Sequence, residues 1–246
     1  MKILITGASS GIGAGLAREY AKSSNELILL ARREDRLRAL QEELEHSCKS
    51  VTIIVVDVSD FEALQKSVAE IKALDMVILN AGISLGHSQD PDSIPTIAEF
   101  ENLYRVNVLS VHALLEILLP IFKAQQSGKI VFISSLASLF SMPSSKVYSS
   151  SKRALNAYAE GIRYKYNRYG IDVITIMPGF IKSELTDKNE FSMPLLLETD
   201  VGVRKITKAI EKGRRVYAFP LTFYLFIRLL NLLPATLREW IVDRVS

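Results

Sequence analysis

Short apolar runs rich in β-branched residues alternate along the chain with longer stretches of helical period. The runs fall at residues 2–6, 27–31, 51–56, 76–79, 129–134, 172–177 and 216–219, and the helical stretches near 12–23, 34–46, 60–72, 97–120, 146–168 and 201–213. A helix-sized connection separates each strand from the next, which predicts parallel strands joined by right-handed crossovers. The runs are almost continuously hydrophobic, as strands covered on both faces require. The pattern predicts an α/β fold, doubly wound, with a seven-stranded, mostly parallel sheet and helices on both faces. Asp35, and Ser59 or Asp60, stand where N-caps would start the second and third helices.

No Pro/Gly-rich linker, repeat or low-complexity tract divides the chain, so one domain is expected, residues 1–220, extended by an apolar helical segment, 221–246. Two stretches break the rhythm: 83–95 after the fourth strand and 183–200 after the sixth. Both leave the carboxyl edge of the sheet, where open parallel folds hold their ligands.

Composition narrows the choices. The chain has 246 residues, 48% of them hydrophobic, which is ample for a large core. Thirty basic against 27 acidic residues leave +3, too small and too evenly spread a surplus for nucleic acid as a partner. The single cysteine, Cys48, excludes an internal disulfide framework and fits a reducing compartment. His46, His87 and His112 lie far apart, with no cysteine or carboxylate at ligand spacing, so no metal site is expected. Only Lys2 precedes the short run Ile3-Leu4-Ile5, less than the roughly seven residues of a signal h-region. The stretch 221–233, broken by Arg228 and closed by Pro234, falls short of the about 20 residues of a spanning helix. The expectation is a cytoplasmic protein, with membrane association of the carboxyl-terminal segment left open.

The turn Thr6-Gly7-Ala8-Ser9-Ser10-Gly11-Ile12-Gly13 joins the first strand to the first helix. Its glycines allow a tight turn and let the backbone approach a pyrophosphate resting on the helix N-terminus. The spacing is G-x3-G-x-G, not G-x-G-x-x-G, but the strand–turn–helix position is that of a Rossmann-type dinucleotide site. The competing reading is a glycine turn needed only for packing. About 20 residues on, where an acid would take the ribose hydroxyls of NAD, stand Arg32 and Arg33. A guanidinium fork there suits a 2′-phosphate, so NADP(H) is expected over NAD(H), against the alternative of a solvated loop pair. Asp57-Val58 closes the third strand and Asn80-Ala81-Gly82 the fourth, both toward the same crevice; Asp57 either contacts adenine or caps the following helix.

Thr6-Gly7-x3-Gly11-x-Gly13, Asn80-Ala81-Gly82, Asn107, Ser135, Tyr148-x3-Lys152 and Pro178-Gly179 occur in the order and approximate spacing of the short-chain dehydrogenase/reductase family, which the chain resembles over about residues 1–185. The resemblance implies that Tyr148 is the general acid/base and that Lys152 also holds the nicotinamide ribose. It implies that Ser135 bonds the substrate oxygen and that Asn107 steadies a water behind the lysine. Pro178-Gly179-Phe180-Ile181 resembles the stretch flanking the nicotinamide, with the Ile181 backbone toward its carboxamide, and Ser183 stands where the family usually has threonine. For Asn107 the residues alone also allow a helix side chain bonded to a backbone carbonyl.

The chemistry is intelligible without the family. Positions i and i+4 share a helix face, and of nine tyrosines only Tyr148 has lysine at that offset. A phenol with a pKa near 10 is a poor base at neutral pH, and lowering it by about 3 units takes about 4 kcal/mol. A nearby ammonium and an oxidised nicotinamide have the sign to supply this; in reduction the phenol gives its proton to the carbonyl oxygen.

Phe180, Phe191, Met193, Pro194 and the leucines 195–197, facing Ile83, Leu85, Leu139 and Phe140, make the expected pocket wall apolar, although the leucines could equally just anchor their loop. The expected activity is hydride transfer between NADP(H) and a hydrophobic ketone, aldehyde or secondary alcohol. The rivals are a 3-oxoacyl thioester reductase and a non-catalytic NADP(H) sensor. A homodimer or homotetramer through the helices near 97–120 and 146–168 is implied by the resemblance. Residues 221–246 have two readings, packing in the fold or an oligomer, or peripheral membrane contact.

Overall fold

The computed structural model describes residues 1–85, 93–187 and 193–245; His87 and Phe191, with parts of the stretches 83–95 and 183–200, lie outside the described residues. Seven strands, β1 (Lys2–Thr6), β2 (Glu26–Ala31), β3 (Ser50–Val55), β4 (Met76–Leu79), β5 (Gly128–Ile133), β6 (Ile171–Pro178) and β7 (Val216–Phe219), form one sheet in the order β3-β2-β1-β4-β5-β6-β7. Every neighbouring pair is parallel. The order reverses between β1 and β4, and in such sheets the crevice opens at the carboxyl ends of the strands at that switch point.

The helices are α1 (Gly11–Ala21), α2 (Glu34–Leu44), α3 (Phe61–Val68), α4 (Ile97–Tyr104), α5 (Ser110–Gln125), α6 (Lys146–Tyr166), α7 (Thr199–Glu211), α8 (Leu221–Leu230) and α9 (Ala235–Val245). Strand side chains alternate between two cores, as period-two geometry demands. Ile3, Ile5, Leu27 and Leu29 meet Leu16 of α1, Leu37 of α2 and Ile206 of α7. Leu4, Ile28 and Leu30 meet Leu64 of α3, Leu115 of α5 and Leu155 of α6. Each such side chain contributes about 1.5–3 kcal/mol on full burial, and a one-residue slip would exchange the two sets, so register is strongly fixed.

A π-helical turn, Arg105–Leu109, joins α4 to α5, making one rod. The rod, Ile97–Gln125, is long and apolar enough to cross a membrane, but half of its apolar window is buried in the fold. Leu103, Leu114, Leu118 and Phe122 are spent on the core.

Two expectations about helix starts are settled. Asp60 caps α3, its carboxylate accepting from Ala63 N at 3.1 Å. Asp35 does not cap α2: the helix already begins at Glu34, and Asp35 lies in its first turn, where a carboxylate favours the positive end of the helix dipole. The apolar stretch after β7 is helical. Phe223, Tyr224 and Ile227 of α8 pack on Leu136, Leu139, Phe140, Met177 and Ala218.

Candidate active site

Local backbone geometry explains the glycine turn. Gly7 (φ 65°) and Gly11 (φ 52°) occupy left-handed conformations that L side chains rarely adopt. A Cβ on Gly13 would stand 2.2 Å from the Gly7 carbonyl oxygen, so α1 can approach the turn only through glycine. Asn80 locks the turn to β4: its Nδ2 donates to Thr6 O at 3.0 Å and Gly7 O at 3.3 Å, while Thr6 Oγ1 accepts from Asn80 N and Ala81 N, both at 3.0 Å. Ser10 precedes α1 in extended conformation, and its side chain makes no cap bond. The first-turn N–H groups are left to an anion.

A cleft of about 330 Å³ opens above this turn. Its walls are Gly7, Ser9, Ser10, Gly11 and Ile12 from the turn, Arg32 and Arg33 after β2, Asp57 and Val58 after β3, and Asn80, Ala81 and Gly82 after β4. Ser183, after β6, stands against Gly11 of the turn, and Tyr148 and Lys152 of α6 complete the lining. Of the residues expected at the site, Gly13, Asn107, Ser135, Pro178, Gly179 and Ile181 are not among those lining the cleft.

The two arginines differ. Arg33 donates to Ser9 Oγ (3.0 Å from Nη2) and Ser10 Oγ (2.6 Å), and pairs with Glu184 at 2.7 Å. Arg32 is more exposed, and it pairs with Asp57 at 3.5 Å. Asp57 spends its other oxygen on Ser59, accepting from its N–H at 2.9 Å and its hydroxyl at 2.8 Å. That leaves the capping of α3 to Asp60. Glu184 and Leu185 also line the cleft, and sequence reasoning named neither. Glu184 pairs with Arg36 as well as Arg33, and these bonds hold its carboxyl down at about 2. The only sequence signal was its place in the irregular stretch after the sixth strand.

At the other end, Lys152 is buried, with 4% of its surface exposed, and its Nζ donates to Ile133 O at 3.0 Å. That Nζ lies 5.7 Å from the centroid of the Tyr148 ring, so one helix face presents both groups, as the four-residue spacing predicts. Ser135 follows β5 in extended conformation, accepts from Ala137 N at 3.1 Å, and hydrogen-bonds the Tyr148 phenol.

The depression of the phenol pKa expected from the sequence is absent from the protein alone. Burial pushes Tyr148 up to about 12, the Ser135 bond opposing only part of the rise. Burial also brings Lys152 down to about 8. Both shifts favour the neutral form, because a low-dielectric surrounding penalises whichever state is charged. The site as built stores a proton on the phenol.

Asn107 lies in the π-helical turn, a distortion common at functional positions. Its Oδ1 accepts from Ile83 N at 2.8 Å, and its Nδ2 donates to Ile83 O at 3.0 Å and Ser151 Oγ at 3.1 Å. The amide therefore clamps the segment leaving Gly82 to α6. A Cβ on Gly82 would sit 3.3 Å from Asn107 Oδ1 and 3.4 Å from Lys152 Nζ, which puts the two side chains around one glycine. After β6, Gly179 N donates to Phe219 O at 2.7 Å, and Ile181 is pinned by a parallel bridge to Leu197. Thr186 Oγ1 accepts from Ser183 N at 2.8 Å and donates to Ile181 O at 3.1 Å.

Of the expected pocket wall, Leu139 and Phe140 pack beside α8, and Phe180 stacks on Phe223 with centroids 6.1 Å apart. Leu197 instead packs on the main core and anchors its loop.

Comparison with known proteins agrees with this geometry. Residues 1–192 match the short chain dehydrogenase family, and the chain belongs to it. It is 37% identical over 220 residues to an uncharacterized oxidoreductase of Mycobacterium tuberculosis (strain CDC 1551 / Oshkosh), an alignment that covers 86% of this chain and 85% of that protein. A short-chain dehydrogenase from Sphingobium yanoikuyae in complex with NADPH superposes with a TM-score of 0.83 at 24% identity, over 100% of this chain and 96% of that one. A short chain dehydrogenase/reductase from Burkholderia phymatum in complex with NAD does so with a TM-score of 0.83 at 21% identity, covering 94% and 92%. The protein is an oxidoreductase of the short-chain class, a family acting on CH–OH and C=O groups.

Proposed function

We propose that the protein catalyses NADP(H)-dependent interconversion of a hydrophobic ketone or aldehyde with its alcohol, Tyr148 serving as acid and base. The observation that carries this reading is the single cleft with the open N-terminus of α1 and Arg33 at one end and Tyr148 and Lys152 at the other. The glycine cradle and the Ser9–Ser10–Arg33 cluster fit a dinucleotide with a 2′-phosphate. The relative solved with NADPH is consistent with that choice, although another was solved with NAD.

The dinucleotide, when bound, supplies or accepts the hydride. Tyr148 holds its proton at the phenolic oxygen at every neutral pH and passes it to the carbonyl oxygen in reduction. The Ser135 hydroxyl, already bonded to that phenol, orients the same oxygen. Lys152, an ammonium below about pH 8, would hold the nicotinamide ribose hydroxyls, and its charge favours the phenolate that remains. Asn107 keeps the backbone behind Lys152 in place. Phe180, Leu139 and Phe140, in the loops after β6 and β5, form an apolar cluster with Phe223, which supports an apolar substrate over a sugar or polyol.

The rod Ile97–Gln125 and α6 are the proposed dimer surface, with Phe100 and Leu109 exposed on the rod. Cys48, with its thiol pushed up by burial, suits a reducing cytoplasm.

The test is NADPH oxidation by the purified protein over a panel of carbonyls graded by size and apolarity, with Tyr148→Phe in parallel. Turnover should rise with apolarity and fall about 10²–10⁴-fold in the variant. A folded Tyr148→Phe protein with wild-type turnover would overturn the assignment.

A further inference from the structure

A surface helix of a globular domain usually turns a polar face to water. Helix α8 does not. At 100° per residue, Phe223, Tyr224 and Ile227 share the face that packs on Leu136 and Met177. Leu221, Leu225, Phe226 and Leu229 fall on the opposite face, and all are exposed, by 64%, 49%, 54% and 64%. Leu232, just past the helix, is 80% exposed, and Trp240 of α9 is 52% exposed.

The sequence leading into and out of this helix is basic. From Lys212 to Arg238 the sequence contains no acidic residue, yet carries Lys212, Arg214, Arg215, Arg228 and Arg238. The surplus is not evenly spread along the chain, contrary to expectation: from Gly213 to the last residue, five arginines against two acids account for the whole net charge of +3, and the first 212 residues are balanced. Arg228 lies at the edge of the outward apolar stripe, and the Arg244 guanidinium stacks 3.7 Å from the Trp240 ring centroid.

We propose that α8, together with Arg228 at its margin and the exposed Trp240 of the following helix, docks on an anionic lipid bilayer, the apolar stripe entering the interface and the arginines meeting lipid phosphates. Leu and Phe on one face, Trp nearby and arginine at the margin are the composition of an interfacial helix. Charge favours lipid over a second copy of this chain. A two-fold contact through α8 would bring this face onto itself, Arg228 against Arg228, with no acid in the helix to answer it. The inward face of the same helix carries Phe223 against Phe180, so docking would set the proposed substrate wall beside the lipid phase. That last consequence rests on the proposed function; the docking itself does not.

The experiment is co-sedimentation of the full chain with vesicles of phosphatidylcholine alone and of an equal mixture of phosphatidylcholine and phosphatidylglycerol, with no turnover measured. The wild type should bind the mixed vesicles, more weakly as salt is raised, and bind phosphatidylcholine alone far less. The triple variant Leu225→Gln, Phe226→Gln, Leu229→Gln should lose about tenfold in bound fraction, and Arg228→Gln should lose part of the preference for anionic vesicles. Unchanged melting of both variants checks the fold. Wild type that stays in the supernatant with both vesicle types overturns the proposal. So does a triple variant that sediments like wild type, or one whose only change is a smaller oligomer by light scattering.

Discussion

Arg33 and Glu184 are 151 positions apart in sequence and form a 2.7 Å ion pair at the rim of the cleft. The pair ties the segment after β6 to the start of α2, and Arg36 donates to the other carboxylate oxygen. Ser9 and Ser10 accept from the same Arg33 guanidinium. A 2′-phosphate seated on Arg33 and the two serines would therefore stand beside a carboxylate that stays ionised down to about pH 2.

Replacing that carboxylate should strengthen the binding of NADP(H). In Glu184→Gln the like charge beside the phosphate is gone, while Ser9 and Ser10 still hold Arg33. For a pair this exposed the gain is about threefold to fivefold in Kd, with NAD(H) little changed, as read by titration calorimetry. Weaker binding of both nucleotides would mean that Glu184 serves mainly to position Arg33. The same variant carries a pH signature. Because the Glu184 pKa is lowered on folding, from 4.5 to about 2, its contribution to stability is present above about pH 4.5 and lost as the pH falls toward 2. Solvent screening keeps it below about 1 kcal/mol, so the Tm difference between wild type and variant should be small at neutral pH and vanish by about pH 2.

Arg33 and Arg32 should separate cleanly. Arg33→Ala removes a preorganised fork and should raise the Kd for NADP(H) about 10–100-fold, the loss of charge-assisted hydrogen bonds of about 1.5–3 kcal/mol. Arg32→Ala, at an exposed side chain with a single 3.5 Å contact, should cost less than about threefold. Equal effects would show that the phosphate site spans both residues.

Cofactor affinity should weaken as the pH rises through about 8. Burial brings Lys152 to that value, so above it the ammonium facing an anionic nucleotide loses its proton. In Lys152→Met the break near pH 8 should disappear, with a uniformly lower affinity. A break that persists in the variant belongs to another group.

Gly13→Ala should damage the fold as well as binding. The added methyl would stand 2.2 Å from Gly7 O and 2.7 Å from Asn80 Nδ2, neither of which can retreat without opening the turn. Overpacking of this kind costs about 1–3 kcal/mol. The observable is a Tm lower by several degrees together with loss of nucleotide binding; an unshifted Tm would mean that α1 can slide away from the turn.

Some of this was readable along the chain. Ile3, Leu4 and Ile5 are apolar in succession because alternate side chains enter different cores, and that run identifies a doubly covered strand before any coordinate is known. Tyr148 and Lys152 are legible because four residues on a helix return to the same face, a relation that local geometry guarantees. Glu184 is of another kind. Nothing within several residues of it indicates an arginine partner, and α8 gives no local sign of which face meets Phe180.

The amino-acid order by itself determined the seven strands, the glycine turn and the tyrosine–lysine pair, since each depends on backbone periodicity and steric rules that act over a few residues. Tertiary structure decided that Arg33 rather than Arg32 is held at the rim, and that Asn107 clamps Ile83. It also decided that burial pushes the Tyr148 phenol up in the protein by itself, and that one face of α8 is left to solvent. Those outcomes depend on desolvation and on contacts between segments dozens to more than a hundred residues apart, which the chain acquires only when the sheet has brought its carboxyl ends together.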